Sequence, residues 1–228
     1  MNTITQRLEQ VRDRIRTAER RFARPPGSVE LLAVSKTKPP EAIREAAAAG
    51  QRAFGENYLQ DATAKIDALA DLAITWHFIG PLQSNKTRTV AERFDVVHTI
   101  DRLKIARRLS EQRPEHLPPL DCCLQVNVSG ESSKSGLTPE AVPALAATIS
   151  ELPRLNLRGL MAIPAPAESF EAQREPFARL RELLESLREH GLELDTLSMG
   201  MSADLEAAVA EGSTLVRVGT AIFGHRQY

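Results

Sequence analysis

Short apolar runs alternate with helix-like segments along the whole chain, and this alternation limits the folds that are open to it. The strand-like runs are Leu31–Ser35, Arg52–Phe54, Ile74–Ile79, Val96–Ile100, Cys122–Val128, Leu157–Ile163, Thr196–Met199 and Leu215–Val218. The helix-like segments between them are Glu41–Ala49, Tyr58–Ala70, Asn85–Arg93, Arg102–Gln112, Pro139–Glu151, Glu168–His190 and Ala203–Glu211. Such alternation predicts an α/β fold with a parallel sheet.

About eight strands predict a (β/α)8 TIM barrel, although 228 residues is somewhat below the usual length of ~250. A doubly wound open sheet is the alternative, and six or seven strands would favour it. Residues 1–228 read as a single domain. Residues 1–27 form an N-terminal helix packed on it, where Thr3 and Gln6 fit a capping box and Pro25-Pro26-Gly27 ends the helical spacing.

The composition excludes several classes of function. The 29 basic and 30 acidic residues give a net charge of −1, so no nucleic-acid partner is expected. Cys122 and Cys123 are adjacent and the five histidines form no zinc signature, so neither a disulfide nor a metal site is expected. No segment reaches the ~18 apolar residues of a membrane span, and the polar start does not resemble a signal peptide. We therefore expect a cytoplasmic protein without membrane contact.

Lys36 is the first candidate functional residue, because it stands where a predicted strand meets a predicted helix. The run Leu31–Ser35 ends at this lysine, and two prolines then lead into Glu41–Ala49. In parallel α/β folds, ligands bind at this end of the strands. An amine held among apolar groups tends to lose its proton and can then attack a carbonyl. A solvated lysine at a strand end is the alternative interpretation.

Two loops after the last predicted strands carry groups that suit a phosphate. These groups are Ser198, Gly200 and Ser202 in the first loop, and Gly219 and Thr220 in the second. Free N–H groups at the start of a helix attract anions, and barrels frequently bind phosphate through the loops after strands seven and eight. Either loop alone is more typical of an ordinary turn, whereas the pair predicts a phosphate site.

Other candidate residues fall at the ends of earlier strands. Asn57 follows the second strand and Asn85 opens the helix after the third, and both also suit helix caps. His77 lies within the third strand and points into or out of a barrel wall, depending on the register. Met161 ends the sixth strand and is expected to be apolar lining.

Two further lysines are candidates for a second amine that reaches the ligand. Lys134 lies in the polar segment Gly130–Gly136, for which a mobile loop is the alternative interpretation. Lys38 follows Lys36 by two residues. We expect these amines to reach the ligand, in the case of Lys134 during its transfer.

Six sequence blocks, in this order, resemble the pyridoxal phosphate homeostasis protein family, whose fold is that of the alanine racemase N-terminal domain. The blocks are Ala33–Lys38, Phe54–Tyr58, Trp76–Gly80, Leu82–Lys86, Leu197–Ser202 and Arg217–Gly224. The resemblance extends over nearly the whole chain, from about Val29 to Gly224, and several blocks match in order, which makes it specific. The positions of interest show no departure from the family pattern.

The resemblance implies a barrel of fold type III that holds pyridoxal 5′-phosphate as a Schiff base on Lys36. Arg217 would stand near the ring nitrogen of the cofactor and leave it unprotonated. The phosphate would be held by Ser198, Gly200, Ser202, Gly219 and Thr220, and the pocket would be lined by Asn57, His77, Asn85 and Met161. Family members are described as carriers or regulators of vitamin B6 without an established reaction. The implied partners are the cofactor and apo forms of enzymes that depend on it, and a monomer is expected.

Two enzymatic alternatives stay open at this point. A weak amino-acid racemase needs an acid or base on each face of the α-carbon. Alanine racemases bring a tyrosine for this purpose from a second domain of the partner subunit, whereas this sequence ends at Tyr228 just after the last barrel element. A barrel enzyme acting on a sugar phosphate would use the phosphate loops and give Lys36 a substrate carbonyl. Non-catalytic binding is the favoured interpretation.

Overall fold

The computed structural model describes residues 2–130 and 135–224, and its central feature is a closed barrel of eight parallel strands. The strands follow chain order as β1 (Glu30–Val34), β2 (Ala53–Glu56), β3 (Thr75–Phe78), β4 (Val96–Ile100), β5 (Leu120–Gln125), β6 (Leu155–Met161), β7 (Thr196–Ser198) and β8 (Leu215–Val218). Pairing of β8 with β1, in which Leu32 lies opposite Arg217, closes the wall. The predicted barrel is confirmed, and the open sheet is wrong.

Helices surround the barrel and connect its strands. They are α1 (Ile4–Arg21), α2 (Pro40–Ala48), α3 (Leu59–Ala68), α4 (Thr87–Arg93), α5 (Leu103–Gln112), α6 (Val142–Ser150), α7 (Phe170–Glu189), α8 (Leu205–Ala210) and α9 (Thr220–Phe223). Short 3₁₀ turns, Ser84–Lys86 and Pro139–Ala141, precede α4 and α6. Each longer helix turns an apolar face to the barrel, as Phe177, Leu180 and Leu184 do in α7. None of the helices in the described part of the chain is long and apolar enough to cross a membrane.

The first helix completes the outer ring. Thr3 and Gln6 cap α1 reciprocally, as the sequence predicts, with the Thr3 N–H donating to Gln6 Oε1 at 3.0 Å. This helix contacts α2, α8 and α9, and buries Leu8, Val11 and Ile15 against them and the barrel. Because α9, which follows β8, is only four residues long, α1 takes the place of an eighth outer helix between α8 and α2. That the chain is one domain stays a prediction.

The segment boundaries differ from the predicted ones by a few residues where capping groups decide them. The longest helix begins at Phe170, two residues later than predicted, because Ser169 Oγ accepts a hydrogen bond from the Ala172 N–H at 3.2 Å. The helix expected to start at Ala203 begins at Leu205, after a turn. The sequence prediction contained no helix corresponding to α9.

Candidate functional site

Lys36 and the second predicted phosphate loop lie side by side at the carboxyl end of the barrel. Lys36 lies two residues after the end of β1 and is half-buried. Gly219 follows β8, which pairs with β1 through Ala33 and Val218. A Cβ on Gly219 would come within 3.1 Å of the Val34 carbonyl oxygen, so the loop after β8 packs against the strand that leads to Lys36. Closure of the barrel thus joins residues that are about 180 positions apart in the sequence.

Arg217 crosses the barrel interior below this loop. Its guanidinium donates to Ser198 Oγ at 2.7 Å and to the Ser198 carbonyl oxygen at 2.6 Å, and reaches the Ala162 carbonyl oxygen at 2.8 Å. The side chain therefore connects the ends of three strands, β6, β7 and β8. Burial lowers the pKa of Arg217 to about 10, so the group keeps its positive charge at neutral pH. A fixed cation lies under the predicted ligand site.

A histidine pair continues this polar chain across the barrel. His98 Nδ1 lies 2.8 Å from Ser198 Oγ, and His98 Nε2 lies 2.9 Å from His77 Nδ1. Because β4 and β7 are not neighbours in the wall, the His98–Ser198 bond passes through the interior. His77 therefore points into the barrel, which decides between the two orientations that the sequence left open.

Both histidines are neutral in the folded chain. Burial lowers the pKa of His77 to about 3. Burial also places the pKa of His98 well below its ordinary value, with the nearby His77 and Arg217 acting in the same direction. A neutral imidazole can accept as well as donate a hydrogen bond, so the pair can adapt to a polar ligand. The charge of the interior is carried by Arg217.

Buried polar atoms without a hydrogen-bond partner among the described residues include Glu56 Oε2, Asn57 Oδ1 and His77 Nε2, all at this end. Asn57 Oδ1 and His77 Nε2 belong to the neighbouring strand ends of β2 and β3. Buried polar atoms are normally paired, so both atoms are available to a polar ligand. Asn57 is not the cap of α3, whose N-cap position is Tyr58, and its backbone is so close to Gly80 that a Cβ there would come within 2.2 Å of the Asn57 carbonyl oxygen.

The first predicted phosphate loop makes a tight turn. Gly200 has a φ of 97°, and a Cβ at this position would lie 2.5 Å from the Ala208 Cβ. Its carbonyl oxygen accepts from the Arg217 N–H at 2.9 Å, so the turn is fixed to β8. Ser202 is half-buried, and its carbonyl oxygen accepts from Arg14 Nη2 at 3.1 Å. Thr220 opens α9 on the neighbouring loop and is exposed.

The remaining predicted residues occupy different environments. Met161 is fully buried at the end of β6, opposite Ser198 in the register. Asn85 is exposed within the 3₁₀ turn before α4, and it caps no helix, because the N-cap position of α4 is Lys86. Lys38 Nζ donates to the carbonyl oxygens of Phe223 and Gly224 at 3.2 and 3.0 Å. Lys134, the other candidate for a second amine, lies outside the described residues.

Three buried polar residues were not predicted from the sequence, namely His98, Glu56 and Lys65. His98 is fully buried in β4, and its only sequence signal is a histidine within an apolar strand. Glu56 is also fully buried, and its Oε1 lies 2.9 Å from Lys65 Nζ on α3. Glu56 and Lys65 are nine residues apart, and no spacing rule connects the end of a strand with the second turn of the next helix. The available signal was that this glutamate follows the small and apolar residues 53–55 of β2.

A cavity of about 530 Å³ lies at the opposite end of the barrel, away from the predicted site. It is formed between α1 and the starts of β1 and β2, with Arg12, Arg20 and Arg52 among its lining residues. None of the sequence-predicted site residues lines it. The described residues contain no group of three or more His, Cys, Asp or Glu side chains that could hold a metal ion.

Comparisons with known proteins show the family to which the chain belongs. The family described as alanine racemase, N-terminal domain, matches residues 6–227. The pyridoxal phosphate homeostasis protein of Pseudomonas aeruginosa is 63% identical over 228 residues, which is 100% of this chain and 98% of that protein. PipY of Synechococcus elongatus PCC7942, solved with pyridoxal phosphate bound, is 40% identical with a TM-score of 0.85, covering 97% of this chain and 100% of PipY.

A more distant protein shares the fold at low sequence identity. Alanine racemase from Corynebacterium glutamicum is 18% identical, with a TM-score of 0.69 over 97% of this chain and 62% of the racemase. At this identity the likeness shows the barrel fold alone. The family match and the high identity over the full length show family membership and not the fold alone. This chain belongs to the alanine racemase N-terminal domain family and, within it, to the pyridoxal phosphate homeostasis proteins.

Proposed function

We propose that this chain binds pyridoxal 5′-phosphate in the cytoplasm and contributes to vitamin B6 homeostasis, with Lys36 forming a Schiff base to the aldehyde. The observation that carries the proposal is the position of Lys36 beside Gly219 and above Arg217 at one barrel end. The PipY structure with pyridoxal phosphate bound, at 40% identity over the whole of PipY, supports the same ligand. Condensation of the Lys36 amine with the aldehyde releases one water molecule.

The residues at the barrel end fit the polar groups of this ligand. The phosphate is assigned to Ser198, Gly200, Ser202, Gly219 and Thr220, and the pocket wall to Asn57, His77, Asn85 and Met161. The unpaired Asn57 Oδ1 and His77 Nε2 support the assignment, because a polar ligand would satisfy them. Ser198 is the weakest phosphate donor of the set, since its hydroxyl already bonds to His98 and Arg217.

Arg217 supports a binding role rather than catalysis. When bound, the cofactor supplies an electron sink, which is strongest with a protonated ring nitrogen. A guanidinium has only donors, so a ring nitrogen that faces Arg217 accepts a hydrogen bond and stays unprotonated. The guanidinium keeps its charge at neutral pH, although burial lowers its pKa to about 10. The name of the Pseudomonas aeruginosa relative, a homeostasis protein, agrees with this role.

A spectroscopic titration tests cofactor binding. We expect the purified chain to develop a visible absorption band with added pyridoxal phosphate, and Lys36→Ala to lose that band. Lys104→Ala is the matched control, because Lys104 is an exposed lysine on α5. A band that persists in Lys36→Ala, or a chain that shows none, would contradict the proposal. Loaded protein incubated with an amino acid in deuterated water should put no deuterium at the α-carbon; incorporation that depends on Lys36 would favour a weak racemase.

Delivery of the cofactor to apo-enzymes is the second part of the proposal. Loaded protein mixed with an apo-enzyme should restore that enzyme's activity in the presence of a scavenger that removes free pyridoxal phosphate. Recovery that stops once the scavenger is added would show release into solution instead. We propose that the chain acts as a monomer, which sedimentation of the loaded protein tests directly.

A further inference from the structure

The residue before Lys36 is held by an unusually complete set of hydrogen bonds. Ser35 is fully buried, and its N–H donates to the Gly55 carbonyl oxygen at 3.0 Å. Its hydroxyl donates to Glu56 Oε1 at 2.6 Å, and its carbonyl oxygen accepts from Lys65 Nζ at 3.0 Å. The backbone donor, the backbone acceptor and the side chain of Ser35 are therefore all occupied. These hydrogen bonds fix the backbone direction in which the chain continues to Lys36.

The residue after Lys36 has a backbone conformation that its side chain disfavours. Thr37 has a φ of 65°, in the left-handed region that β-branched residues rarely adopt. Its N–H is directed at Asp61 Oδ2, 3.4 Å away, and the Lys38 N–H donates to the Ser35 carbonyl oxygen at 3.0 Å. Strained residues of this kind persist where their surroundings determine the conformation.

Lys65 connects the groups that hold the residue before Lys36 with the group that holds the residue after it. Its ammonium lies 2.9 Å from Glu56 Oε1, on the Ser35 side, and 2.6 Å from Asp61 Oδ2, on the Thr37 side. The Lys65 side chain is 3% exposed and that of Glu56 is 0% exposed. Burying two charges is costly, so a pair of this kind is weak evidence for a contribution to stability. Burial raises the pKa of Glu56 and Lys65 opposes this, as expected for a carboxylate that depends on its partner.

We propose that Ser35, Glu56, Lys65 and Asp61, here called the lysine clamp, position Lys36 for its reaction with an aldehyde. The clamp fixes the chain on both sides of Lys36, so that the amine enters the site in one orientation. Its members act through the backbone and need not touch the ligand; they are positioning residues. This inference rests on the proposed function, because it concerns the same lysine and the same Schiff base.

Two variants test the clamp. Asp61→Ala removes the partner on the Thr37 side, and because the Asp61 side chain is 42% exposed, we expect the fold to tolerate the change. Glu56→Gln combined with Lys65→Met removes both buried charges together, so that neither is left unpaired. Arg44→Met is the control, because it removes an exposed ion pair with Asp71 outside the clamp.

The measurement is the rate at which pyridoxal phosphate and borohydride together label Lys36, followed by peptide mapping, with thermal unfolding recorded in parallel. We expect both clamp variants to fold and to label Lys36 about tenfold more slowly, because small misplacements of a reacting group strongly reduce rates. Labelling should also spread to other lysines. Arg44→Met should label as the unaltered chain does.

The clamp and the proposed function can be contradicted separately. Clamp variants that label Lys36 at the unaltered rate would overturn the clamp and leave the proposed function intact. Labelling that falls on other lysines and never on Lys36, in the unaltered chain and in every variant, would overturn the proposed function itself. If the double variant fails to fold, Asp61→Ala alone decides between a clamp and a buried ion pair with a purely structural role.

Discussion

The residues inside the barrel combine one permanent charge with neutral polar groups. Arg217 supplies the charge, while His77, His98 and Ser198 form a hydrogen-bonded chain that carries none. An arrangement of this kind suits an anion and offers no histidine base of ordinary strength, since burial lowers the pKa values of both histidines. The interior is suited to holding a ligand in place.

The histidine pair predicts a particular loss of stability in acid. The pKa of His77 is about 3 in the folded chain, against ~6.5 when unfolded. Between these values the unfolded state binds a proton that the folded state does not. The free energy of unfolding therefore falls with decreasing pH, by about 1.4 kcal/mol per pH unit for this residue.

Urea unfolding of His77→Gln between pH 7 and pH 4.5 tests this interpretation. We expect a shallower loss of the free energy of unfolding below pH 6.5 than in the unaltered chain. His116→Gln, a change at an exposed histidine, should keep the original slope. Equal slopes for all three proteins would mean that His77 is not buried as a neutral group.

Among the described turns whose glycine has a positive φ, the turn between β7 and α8 leaves the least space for a side chain. Gly200 combines a φ of 97° with a Cβ position only 2.5 Å from the Ala208 Cβ. Gly191, after α7, has a φ of 90° but nothing within 4 Å of its Cβ position. The two glycines share the backbone requirement and differ in the available space.

Alanine at these two positions should therefore have unequal effects. Gly191→Ala should lower the free energy of unfolding by about 1 kcal/mol, the cost of a left-handed alanine. Gly200→Ala adds an overpacked contact, so we expect a total of about 2–4 kcal/mol. Chemical denaturation of both variants provides the comparison. Equal losses would show that the space around Gly200 is not limiting.

The elements themselves were largely predictable, because strand and helix periods are local properties of the sequence. β4 and β8 begin and end where the apolar runs predicted them. β2 ends at Glu56 rather than Phe54, since its last residues pair with β3 through backbone bonds that any residue can make. The helix Asn85–Arg93 was wrong in its first turn, which is a 3₁₀ turn with Asn85 exposed.

The candidate site was predictable only in part. Lys36 and the phosphate loops carry signals near strand ends, and the family resemblance adds the lining residues. The Glu56–Lys65 pair was not predictable, because it depends on how α3 packs on β2. The His98–Ser198 hydrogen bond was not predictable either, because it depends on which strands face each other across the barrel. Spacing along the chain contains neither relation.

In the whole molecule, α1 is the piece that completes the ring of helices. It lies between α8 and α2, and Arg14 on it pairs with Glu206 on α8 at 2.9 Å. Arg12 Nη1 donates to the Ala49 carbonyl oxygen at the end of α2 at 2.9 Å. Helix α1 thus covers the junction of β1 and β8, and β1 is the strand that precedes Lys36.

Leu8→Ala tests the contribution of this helix. Leu8 is fully buried, so its truncation should lower the free energy of unfolding by about 3 kcal/mol in a single transition. Arg16→Ala on the exposed face of α1 should leave the value nearly unchanged, since exposed ion pairs contribute little. A separate early transition in Leu8→Ala would mean that α1 unfolds independently of the barrel.

The central claim is that Lys36 holds the cofactor, and one measurement tests it most directly. The unaltered chain is loaded with pyridoxal phosphate, reduced with borohydride, digested, and mapped by mass spectrometry. We predict a single reduced pyridoxyl adduct on the peptide that contains Lys36. An unlabelled Lys36, with the adduct elsewhere or absent, would contradict the account.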